Sequence, residues 1–274
     1  MNHVTMHKDS AIDATSGGTL INLEHLPFAT DSGIGARAAI GLLVLETDQT
    51  IEDEFRAIWP RDGVALYATR LHNDVMITPE TLMKMKAEIP PAAKLLPFMT
   101  DFQVIAFACT SGALVIGEDT VAELIHSVKP GVKVTDPVTA ARAAISSMGV
   151  QRVALLTPYL KEINERLRNS LIERGLNIPV MGSFNEADDD VVARMTPDAI
   201  RDAIVKIGSL PDCDGVFVSC TSLRVAKIAE EAEALIGKPV TSSNHALAWH
   251  MLRLAGIEDE IPGFGRLFRT KLKS

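Results

Sequence analysis

Two cysteines in matching settings are the residues of this chain best placed to do chemistry. One follows the apolar run Val104-Ile105-Ala106-Phe107-Ala108 and opens Cys109-Thr110-Ser111. The other follows Gly215-Val216-Phe217-Val218-Ser219 and opens Cys220-Thr221-Ser222. They lie 111 residues apart, close to half of the chain beyond its N-terminal arm. A lone cysteine after a strand is more often a small buried hydrophobe; a repeated site explains both at once. A thiolate on one face of a substrate can remove a proton from carbon, and a thiol on the other face can return one. Alternatively, one thiolate adds to a conjugated double bond as a nucleophile. Either route needs the neighbouring carboxylate held where charge builds up. Thr110, Ser111, Thr221 and Ser222, with their amides, are the donors at hand.

The elements that must carry these residues alternate between strand and helix. Apolar runs that read as buried strands include Ala39 to Leu45, Val64 to Tyr67, the two runs before the cysteines, Val132 to Thr135, Arg152 to Leu156, Ile178 to Met181 and Pro239 to Thr241. Between them lie amphipathic stretches with recognisable starts, such as Thr78-Pro79-Glu80, Pro137 and Thr196-Pro197-Asp198. Pro90-Pro91 reads as the break of the helix that Pro79 opens. Glu52, Asp53 and Glu54 read as first-turn acids that complement a helix dipole. Both cysteines fall at expected strand-to-helix junctions, where helix amides should make the thiolate more accessible. The alternation predicts an α/β protein with parallel sheets and right-handed crossovers. The second half repeats the first, so two similar α/β lobes related by a pseudo-twofold should face each other across a cleft. Residues 37–149 form the expected first lobe and 150–244 the second, with 245–274 able to pack back on the first. Residues 1–36 read as an N-terminal arm.

Composition narrows the class. The 274 residues are 47% hydrophobic and 23% charged, as in soluble globular proteins. A net charge of −8 argues against a nucleic-acid surface. No run reaches the length of a membrane span, and no signal pattern opens the chain. Three cysteines are too few for a disulfide scaffold. The expectation is a reduced, cytoplasmic protein, with no nucleic-acid or membrane partner, that forms a homo-oligomer, a dimer. Gly33-Ile34-Gly35 superficially matches a dinucleotide fingerprint but precedes the first strand rather than following one. His245 and His250 are five apart, do not share a helix face and read as structural. Cys213 sits in a pre-strand turn and reads as incidental. The run Asp188-Asp189-Asp190 reads as a solvated loop, with no matching set of metal ligands.

With Ala108-Cys109-Thr110-Ser111 and Ser219-Cys220-Thr221-Ser222, Thr47-Asp48 after the first strand, and Leu156-Thr157-Pro158-Tyr159 after the middle one, the chain resembles the aspartate/glutamate racemase superfamily. It is most similar to the branch of maleate cis-trans isomerase, arylmalonate decarboxylase and the ectoine-utilisation protein EutA, over roughly residues 37–257. The resemblance implies two Rossmann-like lobes, no cofactor, and a cysteine pair straddling a small carboxylic acid. It gives Cys109 as nucleophile, Cys220 as acid/base and Tyr159 as a contact to a substrate carboxylate. Asp48 and Gln49, with the two Thr-Ser pairs, complete the expected substrate-binding set. Asp48 falls where maleate isomerases carry asparagine, and a carboxylate there suits an amino group better than a second carboxylate. Ser222 stands where glutamate racemases have histidine, and arylmalonate decarboxylases lack the first cysteine. The expected function is therefore a cofactor-independent racemase or isomerase of a small amino or dicarboxylic acid, EutA-like. The alternatives are a maleate-type isomerase through a Cys109 adduct, a decarboxylase using Cys220, and a non-catalytic binder.

Overall fold

The computed structural model describes residues 22–60, 62–74, 76 and 78–273. Eight strands form two four-stranded sheets, parallel throughout. The first holds β1 (Ala38–Leu45), β2 (Val64–Leu71), β3 (Val104–Ala108) and β4 (Lys133–Thr135) in the order β2-β1-β3-β4. The second holds β5 (Val153–Thr157), β6 (Val180–Ser183), β7 (Gly215–Val218) and β8 (Val240–Ser242) in the order β6-β5-β7-β8. The two orders are the same, so the expected duplication is present strand for strand. β3, β5 and β7 are buried at every residue. That burial explains their unbroken apolar sequences, since a parallel strand is covered on both faces by its crossover helices.

This order fixes where ligands can bind. From β1 the chain crosses to β2 on one side, and later to β3 on the other. A crevice therefore opens beyond the carboxyl ends of β1 and β3, at the point where the winding reverses. Register sets Val44 beside Ala108, so the loop holding Asp48 and the turn holding Cys109 leave the sheet side by side. In the second sheet Leu156 pairs with Val218, which brings out Tyr159 and Cys220 in the same relation.

Most helices start as expected. Thr78, Asp136 and Thr196 each accept a backbone amide at a helix start, with proline in the first turn that follows. The Pro90-Pro91 expectation is corrected. A single 3-10 turn, Met85–Ala87, joins Pro79–Lys84 to a further helix, Ile89–Lys94, which takes both prolines in its first turn. Proline lacks only an N–H that has no helical acceptor there, so the pair starts a helix instead of ending the structure.

The Ser243–Leu254 helix is buried along nearly its whole length, and it packs on the Pro137–Ser147 helix and β3 of the first sheet. Several of its polar residues hold the C-terminal segment. Arg253 donates to the carbonyls of Ile257, Asp259, Phe268 and Thr270, and the Trp249 indole donates to Thr270 at 2.9 Å. His245 lies against Thr241 and the Phe264 carbonyl, and His250 against the Thr135 hydroxyl. Burial pushes both imidazoles down to about 4, so they are neutral packing groups. Of the expected N-terminal arm, residues 1–21 lie outside the described residues. Leu23, Leu26, Phe28 and Ile34 are exposed. Among the described residues no helix is long and apolar enough to cross a membrane.

Trp249 is the largest fully buried side chain. Trp249→Ala should lower the unfolding free energy by about 3–5 kcal/mol, measured by urea denaturation. A loss below about 1 kcal/mol would mean that this helix is not part of the cooperative core.

Candidate active site

Cys109 is the N-cap of the Thr110–Ile116 helix. Its backbone is extended, and its sulfur accepts the Gly112 amide at 3.2 Å, with the Ser111 hydroxyl 3.7 Å away. Gly112 is required by space. A Cβ there would lie 3.0 Å from the Cys109 sulfur and 2.7 Å from the Met85 methyl. The expected helix start is real, but its effect on the thiol is corrected. Burial outweighs the amide and the hydroxyl, and pushes the thiol up to about 11. Asp48 and Asp189 add in the same direction.

Cys220 departs further from expectation. After β7 the chain turns irregularly, and no helix starts until a 3-10 turn at Ala226–Ile228 and the Ala229–Ile236 helix. No helix dipole acts on this thiol. Its hydrogen-bond partner is the Ser222 amide at 3.4 Å, and the Tyr159 hydroxyl stands close enough to ease the thiolate. Burial and the nearby Asp189 charge push it up to about 12. Tyr159 is itself fixed by its carbonyl, which accepts from Asn164 and from Ser183, each at 2.6 Å. Burial and the neighbouring sulfur hold its hydroxyl well above the usual phenol range, so it remains a donor.

All nine residues singled out from the sequence line one cavity of about 740 Å³ between the lobes. Several side chains are already engaged. The Thr110 hydroxyl donates to Ser243 at 3.0 Å, Ser222 donates to Asp189 at 2.9 Å, and Gln49 reaches across to Asp190 at 3.0 Å. The hydroxyls of Ser111 and Tyr159, with the amides of the turns, are the donors left to meet a substrate carboxylate. Asp48 accepts the amides of Thr50 and Ile51 through Oδ1, at 2.8 and 2.9 Å. Burial raises its pKa despite those bonds.

Two functional positions escape sequence reasoning. Asp189 belongs to the cavity rather than to a solvated loop: Asp188 caps the short Asp189–Ala193 helix, which turns Asp189 toward Ser222. Glu54, read as a dipole residue, points inward. One of its oxygens accepts the amides of Val225 and Ala226, both at 2.6 Å, and the other accepts the Asn244 side chain at 2.8 Å. Asn244 also donates to the Thr221 carbonyl at 2.7 Å, and Thr50 donates to that of Ser222 at 3.0 Å. The Cys220 turn is thus held from the first lobe. The available signal was spacing, since Ile51, Glu54, Phe55 and Ile58 form one helical face. Among the described residues no cluster of three or more His, Cys, Asp or Glu is placed to hold a metal ion.

The comparisons with known proteins agree with this geometry. A family model described as arylmalonate decarboxylase matches residues 40–268. Over 140 residues the chain is 36% identical to arylmalonate decarboxylase of Bordetella bronchiseptica, a match spanning 50% of this chain and 58% of that protein. It is 28% identical to maleate isomerase of Nocardia farcinica over 84% of this chain and 95% of that protein. A solved structure of the Nocardia farcinica maleate cis-trans isomerase, a cysteine-to-serine mutant with a covalently bound succinylcysteine intermediate, matches with a TM-score of 0.76 at 26% identity. That match covers 85% of this chain and 98% of that one.

Two measurements test these electrostatics. Iodoacetamide labelling of Cys109 and Cys220 should climb about tenfold per pH unit from about pH 7 to about pH 10 without levelling, because only the thiolate reacts. A plateau near pH 8 would reveal an activated thiolate instead. Glu54 is raised to about 7 by burial. A carboxyl whose folded value lies above its unfolded one stabilises most at low pH, and that contribution is lost as pH rises from about 4.5 through about 7. Glu54→Gln should remove this dependence, on the order of 3 kcal/mol, from unfolding curves taken across that window. An unchanged pH profile would contradict the assignment.

Proposed function

The chain belongs to the arylmalonate decarboxylase family, within the aspartate/glutamate racemase superfamily, and we propose that it is an isomerase of a small carboxylic acid, working through Cys109 and Cys220. One observation carries this reading: the two thiols line one cavity in unequal settings. Cys109 has a helix-start amide, which favours a thiolate once substrate binds. Cys220 has a tyrosine hydroxyl beside it and is held higher, which suits a proton donor. Unequal thiols fit a covalent isomerisation of an unsaturated acid better than a symmetric exchange. The succinylcysteine adduct of the Nocardia farcinica relative supports the same division of labour.

In this mechanism Cys109 passes its proton to a cavity carboxylate, for which Asp189 is placed. The sulfur adds to the double bond, and the released π pair moves to the carbon beside the carboxylate. That carbon takes the Cys220 proton, leaving a saturated adduct and a Cys220 thiolate. Rotation about the new single bond follows. Cys220 then reclaims a proton, the double bond re-forms in the other geometry, and the sulfur departs and recovers its proton. Atoms and charge balance over the cycle. Tyr159 and the turn amides would hold the carboxylate on which charge accumulates.

A second reading, EutA-like racemisation of an amino acid with one thiol on each face of the α-carbon, is favoured by the matching Cys-Thr-Ser sequences of the two lobes. The two readings separate in single variants incubated with cis-unsaturated acids whose far end is anionic, neutral or cationic: maleate, maleamate and cis-4-aminobut-2-enoate. Cys220→Ser should accumulate an adduct on Cys109, seen as a mass increase equal to the acid. Cys109→Ser should form none and lose turnover by at least the ~10²–10⁴-fold typical of a lost catalytic group. In the racemase neither variant forms an adduct, and each exchanges an α-proton of one amino-acid enantiomer in deuterated water. Unimpaired turnover by Cys109→Ser would sink both and leave decarboxylation through Cys220.

A further inference from the structure

We propose that the acid this site accepts carries a positive charge at its far end, and that the buried carboxylate of Asp48 is the partner of that cation. The inference rests on the reading of the cavity as the site of a small carboxylic acid, and it names which such acid fits.

Asp48 is only 3% exposed. Its Oδ1 is satisfied by two backbone amides, but its buried Oδ2 has no hydrogen-bond partner. The Thr221 hydroxyl stands near enough to steady the charge without completing a bond to that oxygen. A buried carboxylate oxygen without a donor is costly, and a ligand bringing a donor relieves the cost. Among the described residues no cation pairs with the group. The cavity is lined by Glu46, Asp48, Asp74, Asp188, Asp189 and Asp190, and among the described residues no Lys, Arg or His lines it. Arg70 lies behind the Asp48 loop, but its guanidinium is spent on the carbonyls of Leu45, Glu46 and Asp48 and on Glu52. The Asp189 charge raises the cost of ionising Asp48 further.

A dicarboxylate would set a second negative charge in this company, whereas an ammonium or amidinium group would supply both the missing donor and the missing charge. Asp48 leaves the first sheet and Tyr159 the second, so a cation held by Asp48 and a substrate carboxylate held by the Tyr159 hydroxyl are received by different lobes of the cavity. The ligand class is therefore a short zwitterion, with carboxylate and cation separated by a few carbons.

Three saturated acids of similar length test this without needing turnover: succinate, succinamate and γ-aminobutyrate, which place a negative, neutral or positive group at the far end. Isothermal titration calorimetry on the native protein at low salt should give the order γ-aminobutyrate, succinamate, succinate, with about tenfold between steps. Asp48→Asn preserves the Oδ1 acceptor while removing the charge. It should weaken γ-aminobutyrate about tenfold and strengthen succinate, closing the gap. Tighter binding of succinate than γ-aminobutyrate by the native protein overturns the proposal, and so does a ratio untouched by Asp48→Asn. Absence of saturable γ-aminobutyrate binding up to about 10 mM overturns it as well. Should the variant not fold, the native order alone decides. Because no bond is made or broken, failure of the isomerase reading appears in the adduct experiment and failure of the charge assignment appears here.

Discussion

The interaction on which the site depends is the buried Glu54 carboxylate. It leaves the first lobe on the Ile51–Ile58 helix and ends among the amides of Val225 and Ala226 and the side chain of Asn244. Without those donors its burial would be prohibitive; with them it is tolerable, though burial still raises its pKa to about 7. The consequence is geometric. The chain from Cys220 to Ala226 has no helix to define it, so its shape is imposed by groups reaching over from elsewhere: Glu54, Thr50 and Asn244. One thiol is thus positioned by its own helix, and the other by the opposite lobe. The cleft is not two independent half-sites pushed together, since the second half is completed by the first.

The same constraint explains what could be read from the sequence. Parallel strands buried on both faces announce themselves as apolar runs, and the Cys-Thr-Ser echo lies at their ends. The duplicated strand order and the convergence of all nine site residues were therefore legible. What was not legible depends on long-range packing. Glu54 looks like its neighbours Glu52 and Asp53 until the helix is seen to turn one face of Ile51, Glu54, Phe55 and Ile58 into the core. Asp189 looks solvated until Asp188 caps a five-residue helix and aims it at Ser222. Pro90-Pro91 reads as a breaker because proline ends a helix it interrupts, yet the same residues suit the first turn of the next one. Each case has a local rule applied correctly to the wrong tertiary context.

The state of the thiols follows from depth rather than from secondary structure. Position at a strand end suggests activated thiolates, and Cys109 does accept a helix-start amide. Enclosure reverses the outcome, because one neutral amide donor does not replace the water lost on burial while two carboxylates stand nearby. The resting cavity consequently holds neutral thiols, beside carboxylates whose pKa burial raises. Such a site is quiet until something changes its charge balance.

A ligand with a positive end would make that change. By neutralising Asp48 it would remove one of the charges that raise Cys109. A carboxylate placed beside Ser111 and the Tyr159 hydroxyl would do the opposite if it came alone, adding negative charge next to the thiol it needs ionised. Binding and activation are coupled only when both ends of the ligand are present: the cation lowers the cost of the Cys109 thiolate, and the carboxylate places the reacting carbon within its reach. In the proposed mechanism the two thiols would keep their order, because Asp189 and not Asp48 is among the main neighbours of Cys220, so that relief of Asp48 acts on Cys109. Selectivity for the charge of the substrate and the division of labour between the cysteines then have one electrostatic origin.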